Sequence, residues 1–526
     1  MITTAIGILA ITLMTYFRNF TDTHRFQQFG YYMVPYLKKA VTQLLRPFEL
    51  IYILGVILYF ATDLILLKII GGLLLLTNMY FLRLIKKAYP AKKKLVYTPR
   101  IRRLMTAALL VLLIFGTAVI YLPSPIGMIY ALLIYPFSFI TIYLGNLINK
   151  PIEGTINNYY YNDALKLMAQ NPNLIVIGIT GSYGKTSTKN VLYTMLSKDF
   201  NVLMTPESFN TKMGLTRTIR EHLKPTHQIL IAEMGAKEVG DIKELCDFVK
   251  PSYGIITSIG PQHLDTFKTF ENIIWTKGEL FRHLQPGGTA IVNVDDESVR
   301  NLQLREDVTA IRYSASDDLT LSPDYHIEAI SVGSTGSSFT LVQTKTGKKI
   351  RLSTKLLGSH NLSNVVAGIA VALQLGVSFD RLNTMTSDLK PVLHRLSTRR
   401  VNDQYTVLDD AFNSNPIGSR MALDVLKNYP GNKKIIITPG MIELGDQAYV
   451  LNKKFGEYIA EVCDYVILVG KKQTQPIQDG LAEKGYDSRR LYIASNLNDG
   501  FSKLNEIVAL NDVVLIENDL PDTFNE

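Results

Sequence analysis

Cysteine is nearly missing from this chain: Cys246 and Cys463 are the only two in 526 residues. Neither sits at metal-binding spacing, and two thiols make no disulfide framework, so a zinc cluster is excluded and a reducing compartment follows. Acidic residues are absent from Arg83 to Leu104, RLIKKAYPAKKKLVYTPRIRRL, which carries nine Lys/Arg. That stretch equals the net charge of +9 on its own (9 − 0 = +9) and leaves the remainder balanced. Flanked on both sides by apolar sequence, such a run marks the cytoplasmic face of a membrane rather than a nucleic-acid site. A basic leader is lacking as well. Ile2 to Phe17 is apolar without a basic n-region, so it reads as a short span or interfacial helix, not a cleaved signal peptide.

Charge is scarce throughout the N-terminal third. Between Phe48 and Leu82 only Glu49, Asp63 and Lys68 are charged, a run too long for one crossing that suits a helical hairpin turning near Asp63. Met105–Leu122 and Ile126–Ile148, separated by the helix-breaking Pro123-Ser124-Pro125, predict a second hairpin. Two hairpins put Lys38, Lys39, Arg46, the basic run and Lys150 on one side, with everything after residue 150 in the cytoplasm. The expectation is a multi-pass protein of the cell membrane, with four spans and a fifth at Ile2–Phe17.

After Pro151 the pattern becomes strand and helix in alternation. Leu174 to Asn190, LIVIGITGSYGKTSTKN, reads as strand, phosphate loop and helix. Gly181, Ser182, Tyr183, Gly184, Lys185, Thr186 and Ser187 are the nucleotide-binding candidates, with Lys185 against the phosphates and Thr186 offering its hydroxyl to Mg²⁺. The usual first glycine, five residues before the Gly-Lys pair, is missing; Ile179 stands there and Gly178 precedes it. NVLMTP, ILIAEMG, YGIITSIG and GTAIVNVDD read as buried parallel strands of a doubly wound sheet, which binds ligands at strand C-termini. At those ends lie Glu233 and, one strand on, His263. Singly, these are an ordinary capping acid and a loop histidine; together, beside a phosphate loop, they suit a metal shell. Residues 299–355 read as β-hairpins. From Ser397 on, YTVLDDAF, KKIIITPGMIELG, YVILVG and VVLIEND predict a small Rossmann-like α/β domain that lacks the GxGxxG fingerprint. The fold class is thus an α-helical membrane region (1–150) followed by α/β: a P-loop, doubly wound central ATPase domain (151–396) and the Rossmann-like domain (397–526).

ITGSYGKTSTKN, SFNTKMGLTRTI, AEMGAKEVGDI, IGPQHLDTF with TKGELF, LLGSHNLSNVVAGIAVALQLGV, HRL and DDAFNSNPIGSRMAL follow one another in the order of the motifs of the Mur ligase family. The resemblance covers roughly residues 171–470 and is closest to the family's MurF branch. It implies an ATP-dependent carboxylate–amine ligase of cell-wall or related envelope synthesis: a carboxylate attacks the γ-phosphate, and an amine displaces phosphate from the acyl phosphate. It implies ATP with two Mg²⁺ ions, Lys185 on the phosphates, Thr186 and Glu233 on one ion and His263 on the second. Lys277 matches a family lysine that becomes carbamylated; read alone it is a surface lysine. Asn361 matches the adenine contact, and Arg395 and Asp410 match residues that reach the phosphate and ribose. Implied partners are the nucleotide, a muramoyl-peptide or lipid-linked acceptor, an amino-acid or dipeptide amine donor, and the membrane.

The chain departs from the family in three places. Pro439-Gly440-Met441 stands where Gly-Asp-Met is usual, and Glu517-Asn518-Asp519-Leu520-Pro521 where a basic Lys-Gly-Ser-Arg stretch is usual. The UDP-gripping domain is replaced by apolar sequence. A ligase on a lipid-linked or polymeric acceptor, like the poly-γ-glutamate synthetases, therefore competes with a soluble UDP-linked substrate. The cysteine-clustered amidating type is excluded by composition. A non-catalytic ATP-binding scaffold is opposed by the intact Lys185, Thr186, Glu233, His263 and Lys277.

Overall fold

A computed structural model describes residues 2–42, 47–88, 94–333, 336–412 and 414–519. Arg46, the centre of the basic run, Asn413 and Leu520-Pro521 lie outside the described residues. The chain forms two compact units that divide between Tyr159 and Tyr160.

The first unit is helical: α1 (Ile2–Gln28), α2 (Met33–Val41), α3 (Pro47–Phe60), α4 (Ile65–Ala88), α5 (Pro99–Ile120), α6 (Ser124–Ile134) and the start of α7 (Ser138–Ala169). The hairpin expected at Asp63 is α3 against α4, with the break at residues 61–64. Among the described residues, however, only Ile65–Leu84 and Pro99–Ile120 are single helices long and apolar enough to cross a membrane. Counting the bent pair of α6 and α7 as one span makes three at most by length and composition, fewer than the four or five expected. At 1.5 Å per residue, the 14-residue α3 reaches about 21 Å, short of a bilayer core of about 30 Å. The apolar run of α1 ends at Arg18-Asn19. The expected span Ile126–Ile148 is broken: α6 and α7 meet at 82°. Pro136 sits in the break and cannot donate to a continuing helix.

The unit exposes apolar side chains and buries polar ones beside its apolar core. Ile6, Leu9, Leu13 and Phe17 are exposed on α1, whereas Thr12, Thr15, Asn19, Asp22 and Thr23 are buried. Arg18 Nη1 lies 2.6 Å from Glu49 Oε1. The Ser138 hydroxyl donates to Asp22 at 2.5 Å, and that of Thr141 donates to Asn19 at 3.0 Å.

The second unit holds two sheets. In the nine-stranded sheet the order is β2-β3-β1-β4-β5-β6-β7-β8-β9: β1 (Ile175–Thr180), β2 (Val202–Met204), β3 (Ile229–Glu233), β4 (Tyr253–Ile256), β5 (Thr289–Asn293), β6 (Thr309–Tyr313), β7 (Tyr325–Gly333), β8 (Gly336–Gln343) and β9 (Lys348–Thr354). Pairing is parallel from β2 through β7, and β7 to β9 form the antiparallel hairpins read from 299–355. Alternate residues of a strand face opposite ways. Ile177 and Ile179 join the core under helices Lys185–Leu196 and Ser359–Gln374, and Val176 joins the core under helices Asp241–Val249 and Phe270–Arg282. Both faces are covered, so these strands read as unbroken apolar runs. The second sheet runs β10 (Ser397–Val401), β11 (Tyr405–Asp410), β15 (Val513–Glu517), β12 (Lys434–Thr438), β13 (Tyr465–Val469), β14 (Leu491–Ala494). It too has a core on each face.

Candidate active site

Gly181 and Gly184 turn the chain from β1 into helix Lys185–Leu196 with φ of +147° and +82°, a region that side chains with a Cβ avoid. The loop is fixed from the strand beside it. Ser182 N donates to Ser258 O at 2.8 Å, Ser182 Oγ donates to Gly260 O at 2.9 Å, and Thr257 Oγ1 donates to Tyr183 O. Lys185 lies back over the loop, its Nζ donating to Gly181 O and Ser182 O. Burial pulls its pKa down to about 8; Glu233 opposes that shift and Arg395 adds to it.

Strand alternation aims Glu233. It faces the same way as Ile229 and Ile231, toward helix Lys185–Leu196, and residues one turn apart on that helix reach it. Thr186 Oγ1 lies 3.2 Å from Glu233 Oε2, Lys189 Nζ lies 3.0 Å from the same oxygen, and Asn210 Nδ2 donates to Oε1 at 3.3 Å. Lys189 was not anticipated. Its one signal is that it follows Lys185 by four residues, on the same helical face.

Lys277 lies among Ile273, Leu280 and Phe281 on the sheet-facing side of helix Phe270–Arg282 and is 3% exposed. Desolvation, with Lys185 adding repulsion and Asp241 opposing, holds its pKa well below the ordinary lysine value. It is not a surface lysine.

A cavity of about 510 Å³ opens beside the loop, within the 300–1,000 Å³ typical of small-molecule sites. Tyr183, Gly184, Ser187, Asn361, Arg395 and Asp410 line it, so the cavity joins residues more than 200 positions apart. His360, Asn364 and Asn415 also line it; the last caps helix Pro416–Asn428 through hydrogen bonds from Ile417 N and Gly418 N. Arg395 stacks on Phe412 at 4.1 Å. Burial raises the Asp410 carboxyl to about 6, although Arg395 and the Leu396 N–H favour its anion.

His263 is not in that wall. It follows β4 with φ +54°, and its Nδ1 lies 2.5 Å from Oε2 of Glu443, a residue the sequence gave no reason to join to it. Among the described residues no three His, Cys, Asp or Glu side chains converge as a metal-binding group. The Thr186 hydroxyl and the Glu233 carboxylate form an oxygen pair suited to a hard cation.

At the carboxyl end of β15, Glu517 stands beside Asp410 in register and is buried. It accepts from Ser414 Oγ at 2.6 Å and Thr438 Oγ1 at 3.4 Å. Burial first, and then the Asp410 charge, push it up to about 8 against those hydrogen bonds. Of the acidic stretch read from the sequence, Glu517 is thus held toward its protonated form.

Residues 179–372 match the Mur ligase middle domain and residues 394–517 the Mur ligase glutamate ligase domain. The chain is 30% identical over 299 residues to the UDP-N-acetylmuramoyl-tripeptide–D-alanyl-D-alanine ligase of Escherichia coli, covering 56% of this chain and 65% of that one. It is 31% identical over 320 residues to the Synechocystis protein of the same name, covering 59% and 66%. A crystal structure of MurF from Acinetobacter baumannii superposes with a TM-score of 0.62 at 25% identity, covering 70% of this chain and 78% of that one. The chain spans just under two thirds of the curated relatives it matches.

Proposed function

The chain belongs to the Mur ligase family through its middle and C-terminal domains, and from that premise we propose that it is an ATP-dependent carboxylate–amine ligase of MurF type acting in peptidoglycan or related envelope synthesis. The observation that carries the reading is the cavity that brings the Gly184–Ser187 end of the loop together with Asn361, Arg395 and Asp410. ATP fits there with its phosphates at the helix N-terminus. Lys185 holds the β/γ-phosphates, Asn361 the adenine, Arg395 a phosphate and Asp410 the ribose. Gly181 and Ser182 shape the loop, and Tyr183 and Ser187 line the phosphate path.

Phosphoryl transfer asks the protein chiefly for alignment and charge neutralisation. Thr186 and Glu233 would hold one Mg²⁺ and His263 a second, and such ions supply charge neutralisation at the phosphate oxygens. Lys277 is the proposed carbamate. Burial that lowers the pKa of Lys277 favours the neutral amine, whose lone pair is needed to add CO₂, and the resulting anion would replace repulsion of Lys185 with attraction. An acceptor carboxylate attacks the γ-phosphorus with loss of ADP; the amine then adds to the acyl phosphate, phosphate leaves, and the amine's proton goes to solvent or base.

The proposed division is 1–150, 151–396 and 397–526, with the first part in the cell membrane and the rest cytoplasmic. Two long apolar helices and outward Ile, Leu and Phe residues support membrane insertion. A lipid-linked acceptor is the second reading, favoured by the Arg18–Glu49 pair and the Asp22–Ser138 bond buried within the helical unit, because ionisable groups enclosed by membrane helices mark ligand paths. Product mass spectrometry of the full-length protein with ATP and Mg²⁺ decides both points. UDP-linked or lipid-linked muramoyl tripeptide is offered with D-Ala-D-Ala, single amino acids or ammonia. An acceptor heavier by one amine less water is expected; ATP hydrolysis without any such product would refute the ligase.

A further inference from the structure

The buried polar face of α1 is only partly partnered. Asn19, Asp22, Thr23 and Phe26 are buried and recur three and four residues apart, so they share one side of the helix. Asn19 Oδ1 accepts from Thr141 at 3.0 Å, but among the described residues its buried Nδ2 has no acceptor. Tyr36 comes from α2. It packs on Phe26 with ring centroids 5.2 Å apart, and its hydroxyl is likewise buried without a partner among the described residues. The charges of Asp22, Arg25 and Arg18 all act on that hydroxyl, which places it beside the same face of α1. Arg25 is held loosely there. Its Nη1 lies 3.6 Å from Asp22 Oδ1, beyond hydrogen-bond length, whereas Arg18 Nη1 is engaged by Glu49 at 2.6 Å.

Buried polar groups ordinarily find partners. An amide N–H, a phenol O–H and a guanidinium all donate, so the partner this set lacks is an acceptor, and the cation among them favours an anion. A phosphate suits it, since a guanidinium can take two of its oxygens in a fork. The surroundings agree. In the first 48 residues Asp22, whose Oδ2 already accepts from Ser138 at 2.5 Å, is the only acid against five Lys/Arg. Lys38 and Lys39 follow Tyr36 on α2. Arg100, at the start of α5, lies 3.8 Å over the ring of Tyr31, and Tyr31 packs on Phe26 at 5.5 Å. Phe17, Val34 and Val41 are exposed on α1 and α2, an apolar surface for acyl chains. Basic pockets between membrane helices on the cytoplasmic side are where lipid headgroups bind. We infer that Asn19, Arg25 and Tyr36 form a site for the phosphate of an anionic membrane lipid. The inference rests on the proposed insertion of the helical unit in the membrane. It gives that unit a task besides anchoring, because a lipid-linked acceptor would present the same group, a phosphate on an apolar chain.

The test titrates phosphatidylglycerol into the full-length protein in detergent and counts bound lipid by native mass spectrometry, for wild type, Tyr36→Phe and Arg25→Gln. Phosphatidylcholine and inorganic phosphate are the other probes. Wild type should hold phosphatidylglycerol in preference to phosphatidylcholine. Tyr36→Phe should weaken that binding about tenfold, the scale of one hydrogen bond to a charged group, and Arg25→Gln at least as much. Because the Tyr36 hydroxyl has no partner in the protein, Tyr36→Phe should leave the lipid-free Tm unchanged or raise it, which separates lost binding from lost folding. Equal affinity for phosphatidylglycerol in all three proteins would overturn the site. Inorganic phosphate that displaces the lipid from wild type would overturn the lipid and make this a site for free phosphate. If wild type is released by carbonate from vesicles containing phosphatidylglycerol, the membrane reading falls, and the inference with it.

Discussion

At the scale of single residues, burial decides which groups can do chemistry. Lys277 exemplifies this. The sequence alone makes it a surface lysine, because nothing in WTKGEL shows which side of the helix meets the sheet, whereas Ile273, Leu280 and Phe281 fix that side in the folded chain. Lys277→Ala should lose the proposed ligase activity, and a short carboxylic acid should restore part of it by occupying the space of the proposed carbamate. Full activity in the unrescued variant would remove the carbamate. Glu517 makes a prediction with a definite sign. Its folded pKa of about 8 lies above the usual value of 4.5, so between those limits the unfolded chain loses the proton while the folded chain keeps it, and stability falls as pH rises. Glu517→Gln, neutral at every pH, should match wild type in Tm at pH 5 and exceed it at pH 8.5. Parallel Tm–pH curves for the two proteins would contradict the assignment.

At the scale of elements, strands buried on both faces were the most legible: LIVIGIT, ILIAEMG and VVLIEND are continuous apolar runs and became β1, β3 and β15. Two strands the sequence hid, β10 and β14, lie at the two edges of their sheet, where STRRV keeps exposed residues at its centre and no apolar run is required. The bend at Tyr135–Phe137 was hidden for the opposite reason: hydropathy stays high straight through Pro136, so composition cannot register a turn of direction. The turn from β1 into helix Lys185–Leu196 was legible from its glycines, and its proposed role as a phosphate loop can be tested at them. At Gly184 a Cβ would meet Asn364 Oδ1 at 2.9 Å with φ at +82°, and both terms act against alanine. Gly184→Ala should weaken ATP binding at least about tenfold, equivalent to about 1.4 kcal/mol, with Tm lowered by only a few degrees; unchanged affinity by calorimetry would contradict the loop's role.

At the scale of the whole molecule, the sequence carried the order of the motifs but not their meeting. Gly184 and Asp410 line one cavity although more than 200 residues separate them, and no local pattern announces that. The helical unit is where sequence and structure differ most, since its apolar surface encloses charged and hydroxyl side chains that a hydropathy count averages away. Membrane insertion predicts that the protein sediments with membranes and resists carbonate extraction but not detergent; release by carbonate would contradict insertion. The central claim, formation of an acyl phosphate, is tested most directly by isotope transfer. With the acceptor carboxylate labelled with ¹⁸O, one labelled oxygen should appear in the phosphate released for each amide formed. Phosphate carrying no label, alongside amide product, would show that the γ-phosphate never joined the acceptor and would contradict the account.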